Sequence, residues 1–472
     1  MSGDTTPDAV VLEKRPRSLV HMFLQRVEDT PDADAFYYPV EGGWQESTWT
    51  HAHALVEGLA AGLLALGVEP EDRVAMLVST RYEWVLGYLS TLWAGGAVTA
   101  IDPSADDETI ARVLGDCGAR VVLAEDFETV RTLWRIRADI RTVGKVVQVD
   151  GDYPDERVLS LEGLLALGHD HLAANPRALS QRLYAVRRDG LAALAYTRDR
   201  DGVLRGARIT HAALSYRATA VSMLGRLSRD DLVYLPLPLT SPYAQAVLGV
   251  QLATGFALAV EGRAERAVDS MRTVHPTVVT AGVRLLEQIR ARAEQQGGDG
   301  RLRRRTTERA LDVARQVHEA RAGDEPVRGR LARQHRSLDR KVLAGVRGLF
   351  GQRLRFVVVS GGGVDAELAD YLDVVGVTVL EAYGRADSGP VSVALPEDAD
   401  SRTAGRPIPG TEVAISRDGE IEVRGPGVAE GYHGVRRAGP ELLRDGWLPT
   451  GDAGLLDSEG RLRVLGRLVR RG

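Results

Sequence analysis

The feature that most constrains this chain is an alternation of two hydrophobic periods. Between Ser18 and about Arg188, stretches with helical spacing alternate with short, wholly apolar runs rich in β-branched residues. Leu19, Val20, Met22, Phe23 and Val27 recur at helical intervals, Ala54 to Leu66 presents a long apolar face closed by Gly67, and Arg73 to Val78 is a strand-like run. A helix from Glu83, a strand at Ala97, a helix through Ile110 to Leu114 and a strand from Arg120 to Ala124 follow. Strands that are apolar on both faces must be covered on both, and strands joined through helices run parallel. The pattern therefore predicts an α/β fold with a mostly parallel sheet and right-handed crossovers.

The same grammar resumes at Leu191 to Tyr196 and recurs at Thr277 to Thr280 and Phe356 to Val359. With 472 residues the chain is about three times the usual single-domain length, so several subdomains are expected. We read a loose leader at 1–17, a first α/β subdomain at 18–190 and a second at 191–404. From Gly405 the texture changes to short strands such as Glu412 to Ile415 and Glu420 to Val423, separated by Gly, Pro and Asp-Gly turns; 405–466 reads as a small β-rich, barrel-like subdomain. Within the second α/β unit, 285–355 is a helical insertion dense in arginine. It reads as a solvated helical face or as a peripheral contact with anionic lipid headgroups.

Composition enters as a filter. The formal charge of −5 gives no global basic field, and no nucleic-acid partner is expected. The lone cysteine, Cys117, makes no internal disulfide, the first residues hold no signal peptide, and a cytoplasmic setting follows, with a peripheral place at the inner membrane face if the insertion touches lipid. Two uncharged runs, Trp84 to Ile101 and Leu232 to Val260, are broken by Gly95-Gly96 and by Pro236, Pro238 and Pro242, so both read as core rather than membrane spans.

Chemistry concentrates in four segments. Leu194 to His211 reads as an apolar strand, a polar turn and a capped helix start; Ser360-Gly361-Gly362-Gly363 follows a buried strand and lets backbone approach a flat or anionic ligand. Val377 to Leu380 leads into Glu381-Ala382-Tyr383-Gly384-Arg385-Ala386-Asp387-Ser388, and Asp445-Gly446-Trp447-Leu448-Pro449-Thr450-Gly451-Asp452 leads to Gly466-Arg467. Each has a plain structural reading: Tyr383 as core, Asp452 as a turn residue, the glycines as loop.

In this order the segments resemble the adenylate-forming superfamily of acyl-CoA synthetases, peptide-synthetase adenylation domains and luciferases, over about Ser18 to Gly472. Thr80-Arg81-Tyr82-Glu83-Trp84, the arginine-rich insertion and Gly405 to Glu412 resemble bacterial long-chain fatty-acyl-CoA ligases in particular. The resemblance implies the large N-terminal domain of that fold, and a reaction in which a carboxylate and ATP give an acyl-adenylate and pyrophosphate before the acyl group passes to the thiol of CoA. It implies that Tyr383 stacks on adenine, that Gly361, Gly362 and Gly363 line the nucleotide pocket, that Asp452 accepts hydrogen bonds from the ribose hydroxyls, and that Gly384 and Arg467 also bind the cofactor. The phosphate loop would run from Thr197 through Gly202 and Arg205 to Gly206, and Asp387 would be the magnesium carboxylate.

The sequence departs from the family at the positions that carry charge. Where the family loop reads Thr-Ser-Gly-Thr-Thr-Gly, any residue, Pro-Lys-Gly, this chain retains Thr197, Gly202 and Gly206 but places Arg198, Asp199, Arg200 and Asp201 before the second glycine and Leu204-Arg205 for Pro-Lys. Two carboxylates oppose a triphosphate, while guanidiniums attract it. Ala386-Asp387 replaces Thr-Glu, and Leu239 stands where the family has a histidine beside the acyl site. After Arg467 the sequence reads Leu468-Val469-Arg470-Arg471-Gly472, a truncated hinge, without the family's small C-terminal domain and its lysine; the only lysines are Lys14, Lys145 and Lys341. No catalytic residue is therefore assigned. The expectation is an AMP-binding homologue impaired in adenylation and unable to form the thioester alone, which binds acyl, acyl-adenylate or nucleotide or partners an active ligase or carrier protein. CoA would bind only with a C-terminal domain from another chain. The alternatives are an active fatty-acid-adenylating enzyme with an arginine-built phosphate site, completed in trans, and a membrane-surface scaffold.

Overall fold

Three sheets organise the computed structural model, which describes residues 7–198, 202–296, 301–323, 325–398, 403–434 and 443–468. Among the described residues, the first sheet has seven strands in the spatial order Val158–Ser160, Lys145–Gln148, Val121–Ala124, Arg73–Leu77, Ala97–Ala100, Leu191–Arg198 and Leu204–Thr210. All neighbours run parallel except the last pair, which is a hairpin. The second sheet has nine strands and is centred on the parallel group Ala257–Val260, Leu232–Leu235, Val278–Ala281, Phe356–Ser360 and Val379–Arg385. Antiparallel Gly389–Val393 and Arg406–Pro407 extend one edge. The third sheet is antiparallel, with the order Glu412–Ile415, Glu420–Arg424, Leu448–Leu456 and Leu462–Arg467.

Local chemistry ends the helices where the periodicity breaks. The helix Leu19–Asp29 begins at Ser18, whose hydroxyl accepts the His21 amide, and buries Leu19, Val20, Met22 and Phe23. Helix Pro242–Thr254 starts with proline in its first turn and stops at Gly255 with φ 89°. The two uncharged runs are, respectively, helix Tyr82–Trp93 followed by strand Ala97–Ala100, and strand, helix, strand between Leu232 and Val260. Among the described residues no helix is long and apolar enough to cross a membrane.

Two segments cross the subdomain boundaries expected from the order of elements. Leu191–Arg198, read as the opening of the second α/β unit, pairs instead with the first sheet through Val98 and Ala193. Conversely, the hairpin Asp34–Val40 and Gly43–Thr48, early in the chain, completes the second sheet by pairing Phe36 with Leu258. The physical reason is burial. Phe36 and the neighbouring Trp49 are fully buried and meet at 5.7 Å between rings inside the core cluster that joins the two large sheets. A third difference lies at 194–211. The polar turn leads not straight into a helix but into strand Leu204–Thr210, and the helix His211–Ser222 follows with Thr210 as its cap.

Candidate functional site

The C-terminal ends of parallel strands are where an open α/β sheet receives ligands, because backbone amides and crossover loops converge there. Here Ser360 ends one central strand and leads into Gly361 to Gly363, while the adjacent strand Val379–Arg385 ends in Tyr383, Gly384 and Arg385. Gly361 and Gly362 have φ values of 87° and 153°, and a Cβ on either would meet nothing within 4 Å, so they leave an open backbone face. Behind it, the Val364 amide donates to Glu381 Oε1 at 3.0 Å.

The hairpin tip of the first sheet faces this edge across a cleft of about 350 Å³ lined by Tyr196, Thr197, Arg217, Gln245, Arg385 and Ala386 among others. Thr197 lies opposite Arg205 and Tyr196 opposite Gly206. A Cβ at Gly206 would sit 3.0 Å from the Tyr196 ring, so that glycine serves the hairpin's own packing. Gly202, φ 81°, makes the turn, and its carbonyl accepts from Arg198 at 3.0 Å. The acidic residues Asp199 and Asp201, with Arg200 between them, lie outside the described residues, as does 469–472 of the expected hinge.

Asp452, expected at the ribose, is placed by strand register rather than by a turn. Asp452 lies within strand Leu448–Leu456, directly opposite Arg467. Arg467 Nη1 donates to Asp452 Oδ1 at 3.0 Å and to the Thr450 carbonyl at 2.9 Å, and the Tyr383 hydroxyl donates to Asp452 Oδ2 at 2.8 Å. Burial, then the adjacent carboxylate, pushes the Tyr383 phenol well above its usual range, so it stays a donor at all physiological pH. Gly384 has a structural role. A Cβ there would lie 2.4 Å from the Gly389 carbonyl oxygen, where the hairpin with Gly389–Val393 is irregular. Gly384→Ala is expected to lower the unfolding free energy by about 2–3 kcal/mol in urea titrations, since backbone rather than a side chain must yield.

Asp387 behaves otherwise than expected. Its side chain is 2% exposed, and Arg385 Nε donates to Oδ1 at 3.0 Å and Nη2 to Oδ2 at 3.3 Å. The Tyr432 hydroxyl donates to Oδ2 at 3.1 Å. Arg385 also stands 3.8 Å from Asp452 and donates to the Arg198 carbonyl at 2.9 Å. Burial opposes its charge, but the two carboxylates outweigh burial and hold it above the ordinary arginine range. A magnesium ion needs near-octahedral oxygen ligands at about 2.0–2.1 Å and keeps several waters. A buried carboxylate with both oxygens held by a guanidinium and a phenol does not fit it in this arrangement. Asp387, expected as the magnesium carboxylate, is paired with Arg385 and Tyr432 instead.

Three contributors are not evident from the sequence motifs. Arg385 had a usable signal, because residues two apart in a strand share a face and it stands two from Tyr383, with Asp387 in the turn that follows. Tyr432 had none; it arrives because Glu430 to His433 lies along strand Leu204–Thr210, bonded through Arg208 and Gly206. It also places its ring 6.0 Å from the Arg205 guanidinium. Arg217, 5% exposed, donates to the carbonyls of Gly427 and Ala386 and is brought down to about 10 by burial, which leaves it charged at neutral pH. Leu239 turns out to be core: it is 1% exposed, its amide donates to Thr80 Oγ1 at 2.9 Å, and Thr240 and Gln245 rather than Leu239 reach the cleft.

Fold and site together define the N-terminal domain of an adenylate-forming enzyme. The family model described as AMP-binding enzyme matches residues 23–433, and the chain belongs to that family. It is 30% identical over 458 residues to the long-chain-fatty-acid–CoA ligase FadD15 of Mycobacterium bovis, an alignment covering 94% of this chain and 73% of that protein. Among solved structures it is similar to the inhibitor-bound N-terminal domain of FACL13 from Mycobacterium tuberculosis, with a TM-score of 0.69 and 19% identity over 96% of this chain and all of that one. It is also similar to o-succinylbenzoate coenzyme A synthetase (MenE) of Bacillus subtilis in complex with ATP and magnesium, with a TM-score of 0.67 and 20% identity over 96% of this chain and 81% of that one. The chain is thus a homologue of AMP-forming acyl-CoA ligases.

Proposed function

We propose that this fatty-acyl-CoA ligase homologue binds an adenine nucleotide or acyl-adenylate in the cleft without a carboxylate-held magnesium ion, and is impaired in adenylation. The observation that carries the reading is the contrast between two carboxylates. Asp452 keeps a ribose-type arrangement with Tyr383 and Arg467, whereas Asp387 is closed by Arg385 and Tyr432. Guanidiniums of Arg217 and Arg385 on the cleft wall, with Arg205 opposite Thr197 on the hairpin, supply positive charge for the single phosphate of an adenylate. MenE was solved with ATP and magnesium together; here the corresponding positive charge belongs to the chain itself.

The acyl group has an apolar cavity beside the cleft, lined by Tyr243, Val247, Val250, Phe356, Leu380 and Val393. At about 70 Å³ it takes only a short apolar segment as it stands; typical ligand pockets hold roughly 300–1,000 Å³. A long fatty acid would have to part the helix Pro242–Thr254 from the sheet.

Calorimetry with AMP, in EDTA and again in excess magnesium, tests the reading. The expected result is binding with affinities within about twofold of each other, and a loss of about tenfold or more in Asp452→Ala, as expected when hydrogen bonds to a charged group are removed. An affinity that rises tenfold with magnesium, or no binding in either buffer, overturns it. The excess of arginine favours a second reading, an active adenylating enzyme with a rebuilt phosphate site. ATP–pyrophosphate exchange with fatty acids well above the Asp452→Ala background would establish that instead.

A further inference from the structure

The arginine-rich insertion folds around a cavity of its own. The helix Arg301–Ala322, the helix Gly329–Leu338, the π-helical turn Asp339–Leu343, the helix Ala344–Arg347 and the end of helix Ala366–Val375 line an open pocket of about 870 Å³, in the size range of pockets for small ligands. Five guanidiniums line it, from Arg321, Arg333, Arg336, Arg340 and Arg347, with His318 and His335 beside them and only Asp339 and Asp373 as acids.

The convergence of its guanidiniums separates this cavity from an ordinary solvated face. Some arginines elsewhere in the insertion pair with acids, Arg290 with Glu294 and Glu367, Arg304 with Glu308 and Arg315 with Asp312. In the cavity, Arg347 takes Asp339 through both oxygens, at 2.8 and 2.9 Å, and so occupies that acid. Among the described residues Arg321, Arg333 and Arg336 have no ion-pair partner. Like charges held together without counter-ions repel, and a concave wall focuses their field inward, which is the arrangement that recognises clustered phosphates.

The cavity is also remote from the nucleotide cleft. Val374 to Gly376 lie just before strand Val379–Arg385, and Tyr383 and Arg385 are at that strand's other end, a separation on the order of 20 Å at about 3.3 Å per residue. We infer that this cavity is a second anion site, which takes a ligand with two or more clustered phosphoryl groups, distinct from the adenylate cleft.

Inositol hexakisphosphate is a suitable probe, titrated calorimetrically into the whole chain and into Arg333→Ser/Arg336→Ser, two exposed positions. Unchanged circular dichroism and AMP affinity show that this variant is folded. The expected result is one probe bound per chain, at least tenfold weaker in the double variant and within about twofold of wild type in Arg205→Ser, which alters the cleft side instead. No binding to the wild type, equal affinity in the double variant, or an equal loss in Arg205→Ser overturns the proposal. Vesicles of phosphatidylglycerol in phosphatidylcholine identify the source of the phosphate. Co-sedimentation that the probe displaces and the double variant lacks supports a lipid headgroup; probe binding without co-sedimentation supports a soluble phosphate compound.

Discussion

Lowering the pH from about 7 towards about 4 is expected to cost this protein about 3 kcal/mol of unfolding free energy through His211 alone. His211 opens the helix His211–Ser222, is 3% exposed, and among the described residues has no hydrogen-bond partner for Nδ1. Burial, and then the positive charge of His21, push its imidazole down to about 4 from the ordinary 6.5. A helix N-terminus also disfavours a cation. Between those two pH values the unfolded chain binds the proton and the folded chain does not, so stability rises with pH across the window. The contribution is complete above about 6.5 and lost as the pH falls towards 4, at about 1.4 kcal/mol for each pH unit crossed. Urea unfolding at both ends of the window, for wild type and His211→Asn, isolates it from carboxylates that titrate in the same range. The variant should lose about 3 kcal/mol less than wild type; an identical loss would show that His211 is not the group responsible.

The second large effect lies in the site. Arg385→Ala removes the guanidinium from a carboxylate that is 2% exposed, and the Arg385 side chain itself is only 12% exposed. Removing one partner of a buried pair leaves an uncompensated charge and costs about 3–5 kcal/mol, whereas removing both costs far less. Arg385→Ala is therefore expected to destabilise by about 3 kcal/mol, and Arg385→Ala/Asp387→Asn to recover most of that loss. Equilibrium urea curves for the two single variants and the double variant complete the cycle. Additive losses would show that Arg385 is not the counter-ion of Asp387, and with that the argument for a resident cation at the metal position would fall.

The α/β class and the two broken apolar runs were legible because they rest on local periodicity and on breaks such as Gly67, Gly95-Gly96 and Pro242. Asp452 and Arg467 were singled out only through the order of motifs; nothing local says that residues 15 apart face each other, which a shared register achieves. Partner choice between sheets was not legible. Neighbours in sequence usually pair in space, yet Asp34–Val40 and Leu191–Arg198 each join the sheet that chain order assigns to the other subdomain.

The sequence alone determined the α/β alternation, most of its strands and helices, and where the family's phosphate and metal positions had changed type. Tertiary structure alone decided what those changes amount to. It set Arg385 and Tyr432 on Asp387, turned Leu239 into core, and gathered arginines from three helices and a turn around one cavity. The reason is that periodicity and capping act within a few residues, whereas charge neutralisation and burial act between groups that the fold has brought within a few ångströms of each other.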